Sequence, residues 1–315
     1  MSFMQIKDLN VHYPIRGGFF NTVVDHVYAV DGVTMEFEKG KTYGLVGESG
    51  SGKSTTGKAI IGLEKITSGS VIYEGEDVTN KRRNRNSSFN RDIQMIFQDS
   101  TSAMNPRKRI QDVLAEPIRN FMNLSPKEEK KRMIELLEIV GMSEEALLKY
   151  PHEFSGGQKQ RLGIARAVAC NPKMIIADEP VSALDLSVQA QVLNFMKDIQ
   201  TEFGLSYLFI SHDLGVVRHM CDHISIMYKG RFVEQGTQKD IYTNPQHVYT
   251  NRLLSAIPKI EPTTRAQRKE ERRAVEIAYR ADAEKYYDQD GKVYPLKDFS
   301  STHKVAMMTS ERGEN

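Results

Sequence analysis

This 315-residue sequence has few cysteines and no long apolar run. Its two cysteines, Cys170 and Cys221, lie far apart and form no C-x-x-C pair. That spacing argues against a disulfide framework and a cysteine-ligated metal site, and it favours a reduced, cytosolic protein. Because no stretch of about 18 apolar residues is present, no segment is expected to span a bilayer. The first residues also lack the apolar core of a signal peptide.

Charge of one sign is not in excess either. The chain has 43 Lys and Arg against 41 Asp and Glu, which gives a formal net charge of +2. This balance gives no global reason to expect binding to nucleic acid or to an anionic membrane. Basic clusters at residues 81–85 and 130–132 are interpreted as solvated faces or loops. The length is enough for about two domains.

The sequence does contain a glycine- and serine-rich stretch, residues 44–55, that fits the phosphate-binding pattern G-x-x-x-x-G-K-[ST]. Residues 42–46 predict a strand before it, and residues 54–63 predict a helix after it. Its glycines let several backbone N–H groups point at an anion near the positive end of a helix dipole. The lysine suits the β- and γ-phosphates, and the serine hydroxyl suits Mg²⁺. The residues predicted to bind nucleotide here are Gly47, Ser49, Gly50, Ser51, Gly52, Lys53, Ser54 and Thr55.

Hydrophobic patterning predicts an α/β protein. Alternation at residues 5–11 and 30–37 indicates an antiparallel sheet at the start of the chain, with a loop or hairpin between the two strands. Continuous apolar stretches indicate the strands of a nucleotide-binding core, at residues 93–97, 173–177 and 206–210. Helical periodicity predicts a mostly helical insert at about residues 100–170. After residue 258 the pattern changes to a densely charged helix and a polar tail.

Six motifs follow one another along the first four-fifths of the chain. They are the phosphate-binding loop, Gln98, Ser155-Gly-Gly-Gln158, Asp178-Glu179, Ser182-Ala-Leu-Asp185 and His212. This order resembles the ATP-binding cassette (ABC) ATPases over about residues 1–258. The resemblance implies a P-loop NTPase core of ABC type, with a mixed or parallel sheet and an N-terminal antiparallel β-subdomain. It also implies a helical subdomain at about residues 100–170 and a helical or irregular C-terminal extension at residues 259–315.

Further segments resemble the ATPases of oligopeptide and dipeptide importers. They are residues 98–107, Ala115-Glu116-Pro117, residues 244–249 and residues 253–258. Those importers usually carry two paralogous ATPases, and Asn105-Pro106-Arg107 resembles the second of the pair, the F-type subunit. The extension after residue 258 is characteristic of the same ATPases. Some relatives carry a cysteine cluster near the C-terminus, whereas this chain has no cysteine after Cys221.

The resemblance gives these motifs roles in ATP hydrolysis. Asp178 would orient Mg²⁺ through its water shell, and Glu179 would polarise the attacking water as a general base. Gln98 has a neutral amide that suits contact with Mg²⁺ and water, and His212 would hold the γ-phosphate. The predicted catalytic residues are therefore Glu179, His212 and Gln98. The predicted metal ligands are Ser54, Gln98 and Asp178.

An aromatic ring near the first strand is expected to stack on adenine. Tyr13 is the residue that the resemblance indicates, because a flat ring gives affinity for a base with little sequence demand. Phe19 and Phe20 lie in an insertion between Tyr13 and the phosphate-binding loop, and either is an alternative. Packing of Tyr13 into the core is another alternative.

The Ser-Gly-Gly-Gln motif opens a predicted helix, whose N-terminus favours an anion. In the family, Ser155, Gly156, Gly157 and Gln158 contact the γ-phosphate held by the opposite subunit, and Asp185 lies at the same seam. The resemblance thus implies a head-to-tail dimer with two nucleotides between the chains. One chain alone is then expected to bind ATP but to hydrolyse it poorly.

The resemblance implies an ATPase that powers a membrane importer of oligopeptides or dipeptides from the cytoplasmic side of the cell membrane. ATP and Mg²⁺ are the expected cofactors. The expected partners are a paralogous second ATPase, two transmembrane permease subunits and, through the complex, an extracellular solute-binding protein. No nucleic acid is expected. The alternatives are a soluble ABC ATPase that acts on nucleic acid or ribosomes, and the ATPase of a nickel or glutathione importer.

Overall fold

The computed structural model describes residues 2–79, 88–98, 104–257 and 265–308. Three sequence features lie outside the described residues: the basic cluster at 81–85, residues 99–103 of the importer-like segment, and the predicted boundary at residue 258. In the described ranges the chain forms two β-sheets flanked by helices. No helix of these ranges combines the length and the apolar character needed to cross a bilayer.

The start of the chain forms the predicted antiparallel sheet. Its strands are β1 Ser2–Gly17, β2 Thr22–Glu38, β4 Ser68–Tyr73 and β5 Glu76–Asp77, in the order β2-β1-β4-β5. Strands β1 and β2 form one long hairpin whose turn lies at residues 18–21. Ile6, Leu9 and Val33 are fully buried at its base, whereas its far end is exposed. The hairpin alternative is therefore confirmed for the segment between the two predicted strands.

The second sheet is mixed and forms the core of the domain. Its first six strands are β3 Thr42–Val46, β6 Ile93–Ile96, β7 Met174–Asp178, β8 Ser206–Ser211, β9 His223–Tyr228 and β10 Arg231–Thr237. Strands β9, β3, β8, β7 and β6 are neighbours in that order and run parallel. Every residue of β3, β7 and β8 is buried, as continuous apolar strands predict. Their carboxyl ends meet at one edge, where Val46 pairs with Ser211 and Asp178 pairs with Ile210.

Helices form the predicted insert and cover the sheet. The insert contains α3 Ile110–Phe121, α4 Pro126–Ile139 and α5 Gly156–Val168. The other α-helices before the tail are α1 Lys53–Ile60, α2 Ser88–Asp92, α6 Leu186–Phe203, α7 Leu214–Met220, α8 Gln238–Thr243 and α9 Val248–Ser255. Short 3₁₀ helices lie at Glu144–Leu148, Pro151–Glu153 and Ala283–Lys285. Helix α4 shows why these segments fold: Ser125 caps it, and Leu136 and Leu137 are buried on one face.

The C-terminal tail contains two strands that the sequence pattern did not reveal. Helix α10, Arg265–Ala281, matches the predicted charged helix. Strands β11 Leu296–Asp298 and β12 Lys304–Ala306 follow, and β12 pairs with β10 at the edge of the core sheet. Three residues are too few for an alternating pattern to stand out. The tail therefore extends the core sheet in addition to supplying a helix.

A buried pair of polar side chains anchors this tail. The Nε2 atom of His303 lies 2.7 Å from Oε1 of Glu234, and the two side chains are 1% and 0% exposed. The Glu234 carboxylate also accepts hydrogen bonds from the backbone N–H groups of Gln246 and His247. It thereby joins β10, the start of α9 and the tail.

His247 lies beneath the tail, next to the rings of Tyr286 and Tyr287. Its side chain is fully buried, and its Nδ1 atom accepts a hydrogen bond from the backbone N–H of Tyr249 at the start of α9. Burial lowers the pKa of His247 to about 3, because the charged form would lose its water. The imidazole is therefore neutral in the folded chain at ordinary pH.

We predict that acid destabilises the fold through His247. The unfolded chain binds a proton at this residue below about pH 6.5, whereas the folded chain resists protonation until about pH 3. The free energy of unfolding keeps its full value above about pH 6.5. Between about pH 6.5 and about pH 3 it falls by about 1.4 kcal/mol for each pH unit. Chemical denaturation at about pH 7 and about pH 5 should show this loss. His247→Asn, which keeps a capping side chain, should show a smaller one, and equal losses in both proteins would contradict the assignment.

Candidate functional site

The predicted phosphate-binding loop connects β3 to α1 at the sheet edge where β7 and β8 also end. Close backbone approaches require two of its glycines. A Cβ atom at Gly47 would lie 2.2 Å from the carbonyl oxygen of Met227, and one at Gly52 would lie 2.1 Å from that of Ala29. Gly52 also has a φ of 106°, which side chains disfavour. The loop is therefore held between β2 and β9 by contacts that only glycine permits.

Lys53 is the buried cation of this loop. Its Nζ atom donates hydrogen bonds to the carbonyl oxygens of Gly47 and Glu48, both at 2.8 Å. Burial lowers the pKa of its ammonium group, although the nearby carboxylates of Glu179 and Asp178 act in the opposite direction. A buried ammonium is stable only with hydrogen-bonding or anionic partners. The loop thus presents a preformed positive charge at the place where phosphates are predicted to bind.

Ser54 and Asp178 meet across the sheet edge. The hydroxyl of Ser54 donates to Oδ1 of Asp178 at 2.8 Å, although 124 positions separate the two residues in the sequence. Burial raises the pKa of Asp178, and the hydrogen bond from Ser54 partly offsets this rise. A hydroxyl and a carboxylate suit Mg²⁺, which takes few protein ligands and completes its shell with water and phosphate. No cluster of three or more His, Cys, Asp or Glu that suits a metal occurs in the described residues.

Glu179 follows β7 in the left-handed conformation, with a φ of 46°. This conformation is uncommon for glutamate and is often found at functional sites. Its backbone N–H donates to the carbonyl oxygen of Ile210 at 2.9 Å, which fixes the turn beside β8. Its carboxylate accepts a hydrogen bond from Nε2 of Gln98 at 2.9 Å and lies 3.0 Å from Nδ1 of His212. The structure thus brings the three predicted catalytic residues into direct contact.

Most of the predicted residues surround one cavity of about 700 Å³, a volume typical of small-ligand sites. Those on its wall are Ser49, Gly50, Gly52, Lys53, Ser54, Thr55, Gln98 and Glu179. Four others contact wall residues without lining the cavity, and they are Gly47, Ser51, Asp178 and His212. The cavity therefore joins the phosphate-binding loop to the acidic residues at the end of β7.

Sequence reasoning missed the remaining part of the wall. It is formed by Val27, Tyr28, Ala29 and Asp31 of β2, by Lys229 and Gly230 between β9 and β10, and by residues 290–293 of the tail. Residues 229–230 and 290–293 are turns, and no local sequence signal places either of them beside the loop. Their proximity arises from the pairing of the strands.

Sequence reasoning also missed a tyrosine that contacts the backbone of the phosphate-binding loop. The hydroxyl of Tyr249 accepts a hydrogen bond from the backbone N–H of Glu48 at 3.1 Å. Tyr249 is fully buried, and its ring lies 4.6 Å from that of Tyr228, which in turn contacts Tyr287 of the tail. The importer-like segment at residues 244–249 therefore links the tail to the phosphate-binding loop.

Tyr13 lies beside the loop without lining the cavity. Its hydroxyl donates to Oε2 of Glu64 at 2.8 Å, and the residue is 39% exposed, so it is not packed into the core. Burial of the hydroxyl and the Glu64 carboxylate raise its pKa to about 12. Phe19 and Phe20 are almost fully exposed at the hairpin turn and do not line the cavity either. Tyr28 is the aromatic residue on the described wall.

The Ser-Gly-Gly-Gln motif begins α5 and lies outside the cavity. Ser155 and Gln158 form a capping box, in which each side chain accepts a hydrogen bond from the other residue's backbone N–H. A Cβ atom at Gly157 would lie 2.7 Å from a methyl carbon of Val188, so glycine permits close packing of α5 against α6. Ser155, Gly156 and Gln158 are exposed, as is Asp185 at the start of α6. The structure therefore does not bring these predicted residues to their own chain's cavity.

Comparisons with known proteins give the family. Residues 30–182 match the family model described as ABC transporter, and residues 233–289 match the C-terminal region of oligopeptide/dipeptide transporters. The oligopeptide transport ATP-binding protein OppF of Lactococcus lactis is 58% identical over 99% of this chain and 97% of its own. AppF of Bacillus subtilis, with the same description, is 47% identical over 82% of this chain and 78% of its own.

A solved structure gives the same answer for the fold. The ATP-binding cassette MJ0796, as a dimer bound to ADP and phosphate after hydrolysis, superposes with a TM-score of 0.64 and 27% identity, over 75% of this chain and 98% of its own. The predicted ABC-type α/β fold is thereby confirmed. The chain belongs to the ABC transporter family, among the ATP-binding proteins of the oligopeptide-transporter type.

Proposed function

We propose that this chain hydrolyses ATP to power oligopeptide import, as one ATPase subunit of a membrane complex. The observation that carries the proposal is the similarity to OppF of Lactococcus lactis, which extends over almost the whole of both chains. The residues expected to hold and hydrolyse nucleotide are present and meet at one sheet edge. The similarity favours an importer over a soluble ATPase that acts on nucleic acid or ribosomes.

The loop and its neighbours are proposed to bind Mg²⁺ together with ATP. Mg²⁺ would neutralise charge on the β- and γ-phosphates. Because Ser54 donates its hydrogen to Asp178, the lone pairs of its hydroxyl oxygen are left for the metal. Asp178 would act through water in the metal's shell, and Gln98, two residues after the end of β6, would contact the same shell. Lys53 would exchange its carbonyl partners for phosphate oxygens.

Glu179 is proposed to accept the proton of the attacking water. Gln98 holds one oxygen of its carboxylate and His212 approaches the other, so the carboxylate is oriented before ATP binds. Its side chain is 14% exposed, which limits competition from bulk water. His212 would also contact the γ-phosphate. His212, which helps to position the Glu179 carboxylate, would therefore respond to the presence of the γ-phosphate.

The missing wall of the site is proposed to come from another chain, a paralogous ATPase. Ser155, Gly156 and Gln158 are exposed at the N-terminus of α5, where a helix favours an anion. The Asp185 side chain makes no capping hydrogen bond at the start of α6 and is exposed. The related cassette MJ0796 was solved as a dimer with ADP and phosphate. These observations support a head-to-tail arrangement in which each chain closes the other's site.

The remaining partners are proposed to be two transmembrane permease subunits and an extracellular solute-binding protein. This assignment places the chain on the cytoplasmic side of the cell membrane. It is supported by the names of the relatives, which are oligopeptide and dipeptide transport ATP-binding proteins. ATP binding would close the pair of ATPases and hydrolysis would reopen it, so that the energy of nucleotide binding shifts the permease between two states.

We predict that Glu179→Gln lowers ATP turnover by about 10²- to 10⁴-fold, the usual contribution of a general base. Glutamine keeps the size of the side chain but does not accept a proton, so ATP binding should persist. Single-turnover hydrolysis and equilibrium ATP binding by the assembled complex measure the two effects. Glu202→Gln, at an exposed position of α6, is the matched control and should behave as wild type. Unchanged turnover in Glu179→Gln would rule out the assigned role.

We also predict that peptide stimulates ATP turnover through the whole complex. The two ATPases and the permease subunits are reconstituted into liposomes, and oligopeptide is added with its solute-binding protein on the outer side. Turnover should rise with oligopeptide, whereas free amino acids, or oligopeptide without the binding protein, should leave it unchanged. Stimulation by RNA or DNA and none by oligopeptides would contradict the proposed substrate class.

A further inference from the structure

A turn of the C-terminal tail forms part of the cavity wall. Four of its residues line the cavity, and they are Asp290, Gly291, Lys292 and Val293. Lys53, Ser54 and Glu179 mark the part of the wall assigned to the phosphates and their hydrolysis. The tail turn instead contacts the part formed by Tyr28 and Asp31. When the triphosphate occupies the loop, the rest of the nucleotide has this second part of the cavity available.

The tail turn is held firmly in this position. Oδ1 of Asp288 accepts hydrogen bonds from the backbone N–H groups of Asp290 and Lys292, at 3.0 and 2.8 Å. Tyr287 pairs with Val293 across the turn, and the Val293 side chain is buried. The Val293 carbonyl oxygen also accepts a hydrogen bond from Arg231 of β10 at 2.9 Å. The turn is thus fixed both internally and to the core sheet.

Lys292 projects from this turn toward β2. Its Nζ atom lies 3.2 Å from Oδ2 of Asp31 and 5.6 Å from the centre of the Tyr28 ring. The Asp31 carboxylate already accepts a hydrogen bond from Nε of Arg231 at 2.8 Å. Burial alone would raise the pKa of Asp31, but the hydrogen bonds from Arg231 and Lys292 lower it.

Two cations therefore share one carboxylate at the edge of the cavity. Arg231 is committed to Asp31 and to a tail carbonyl, whereas the Lys292 side chain is 48% exposed and an ammonium has three donors. The ring of Tyr28 lies beside it on the same wall. An aromatic ring next to a cation suits a flat base that carries hydrogen-bond acceptors.

We propose that Lys292 binds the nucleoside part of ATP, and that the tail turn is thereby part of the nucleotide site. Its ammonium donates to acceptor atoms of the ribose or the base on the part of the wall that Tyr28 and Asp31 form. The tail then contributes to nucleotide affinity in addition to extending the core sheet. This requires only that the chain binds nucleotide, so it does not depend on peptide import or on the identity of the partner ATPase.

Three full-length variants test this assignment. Lys292→Met keeps most of the side chain's length and removes its charge, and Lys292→Arg keeps the charge. Lys285→Met is the matched control, because Lys285 belongs to the same tail, pairs with Asp282 at 2.6 Å and does not line the cavity. Calorimetric titration measures the binding of ATP, ADP and inorganic triphosphate, each with Mg²⁺, at about 0.15 M salt, where distant charges are screened.

Lys292→Met should weaken the binding of ATP and of ADP about five-fold, the usual effect of losing one hydrogen bond. The binding of inorganic triphosphate should be unchanged. Lys292→Arg should retain most of the affinity, and Lys285→Met all of it. Wild-type ATP affinity in Lys292→Met would overturn the proposal. An equal loss for ATP and triphosphate would overturn it as well, since the effect would then act through the phosphate-binding loop or through stability.

Discussion

The arrangement of this site depends on the buried ammonium of Lys53. A charge in the interior is destabilising unless polar groups surround it. Here the loop folds back so that the carbonyl oxygens of Gly47 and Glu48 point at Nζ. That path brings Gly47 and Gly52 against the backbone of β9 and β2, where a Cβ atom has no room. The need to surround this ammonium with polar groups thus determines the path of the loop. It also explains why glycine stands at these two positions and why the loop contacts strands of two different sheets.

The parallel sheet gathers the chemistry around this cation. Because β3, β7 and β8 end at the same edge, the residues that follow them lie side by side. Ser54 reaches Asp178, and Glu179 contacts both Gln98 and His212. The sequence predicted a common site for these residues through the resemblance to ABC ATPases, because each motif is local. The pairs themselves were not predicted. What a local pattern does not contain is the backbone conformation that aims each side chain, such as the left-handed φ at Glu179.

The rest of the wall was not predictable for a physical reason. Residues 288–293 belong to the stretch predicted only as a polar tail, and the strands beyond them have three residues each. Their position depends on long-range contacts, such as the buried pair of His303 with Glu234 and the bond from Arg231 to Val293. The same limit applies to the aromatic residues of the hairpin. Tyr13 and Tyr28 both lie outside the strands that periodicity predicts, and only the folded chain shows that Tyr28 lines the cavity.

One chain is proposed to hold the nucleotide, and a second chain is proposed to complete the site. The most direct test is the rate of ATP turnover per chain, measured alone and with the second ATPase, while light scattering follows the oligomeric state. We predict that the monomer binds ATP with negligible turnover, and that turnover rises in proportion to the fraction of paired chains. A verified monomer that hydrolyses ATP as fast as the paired chains would contradict it.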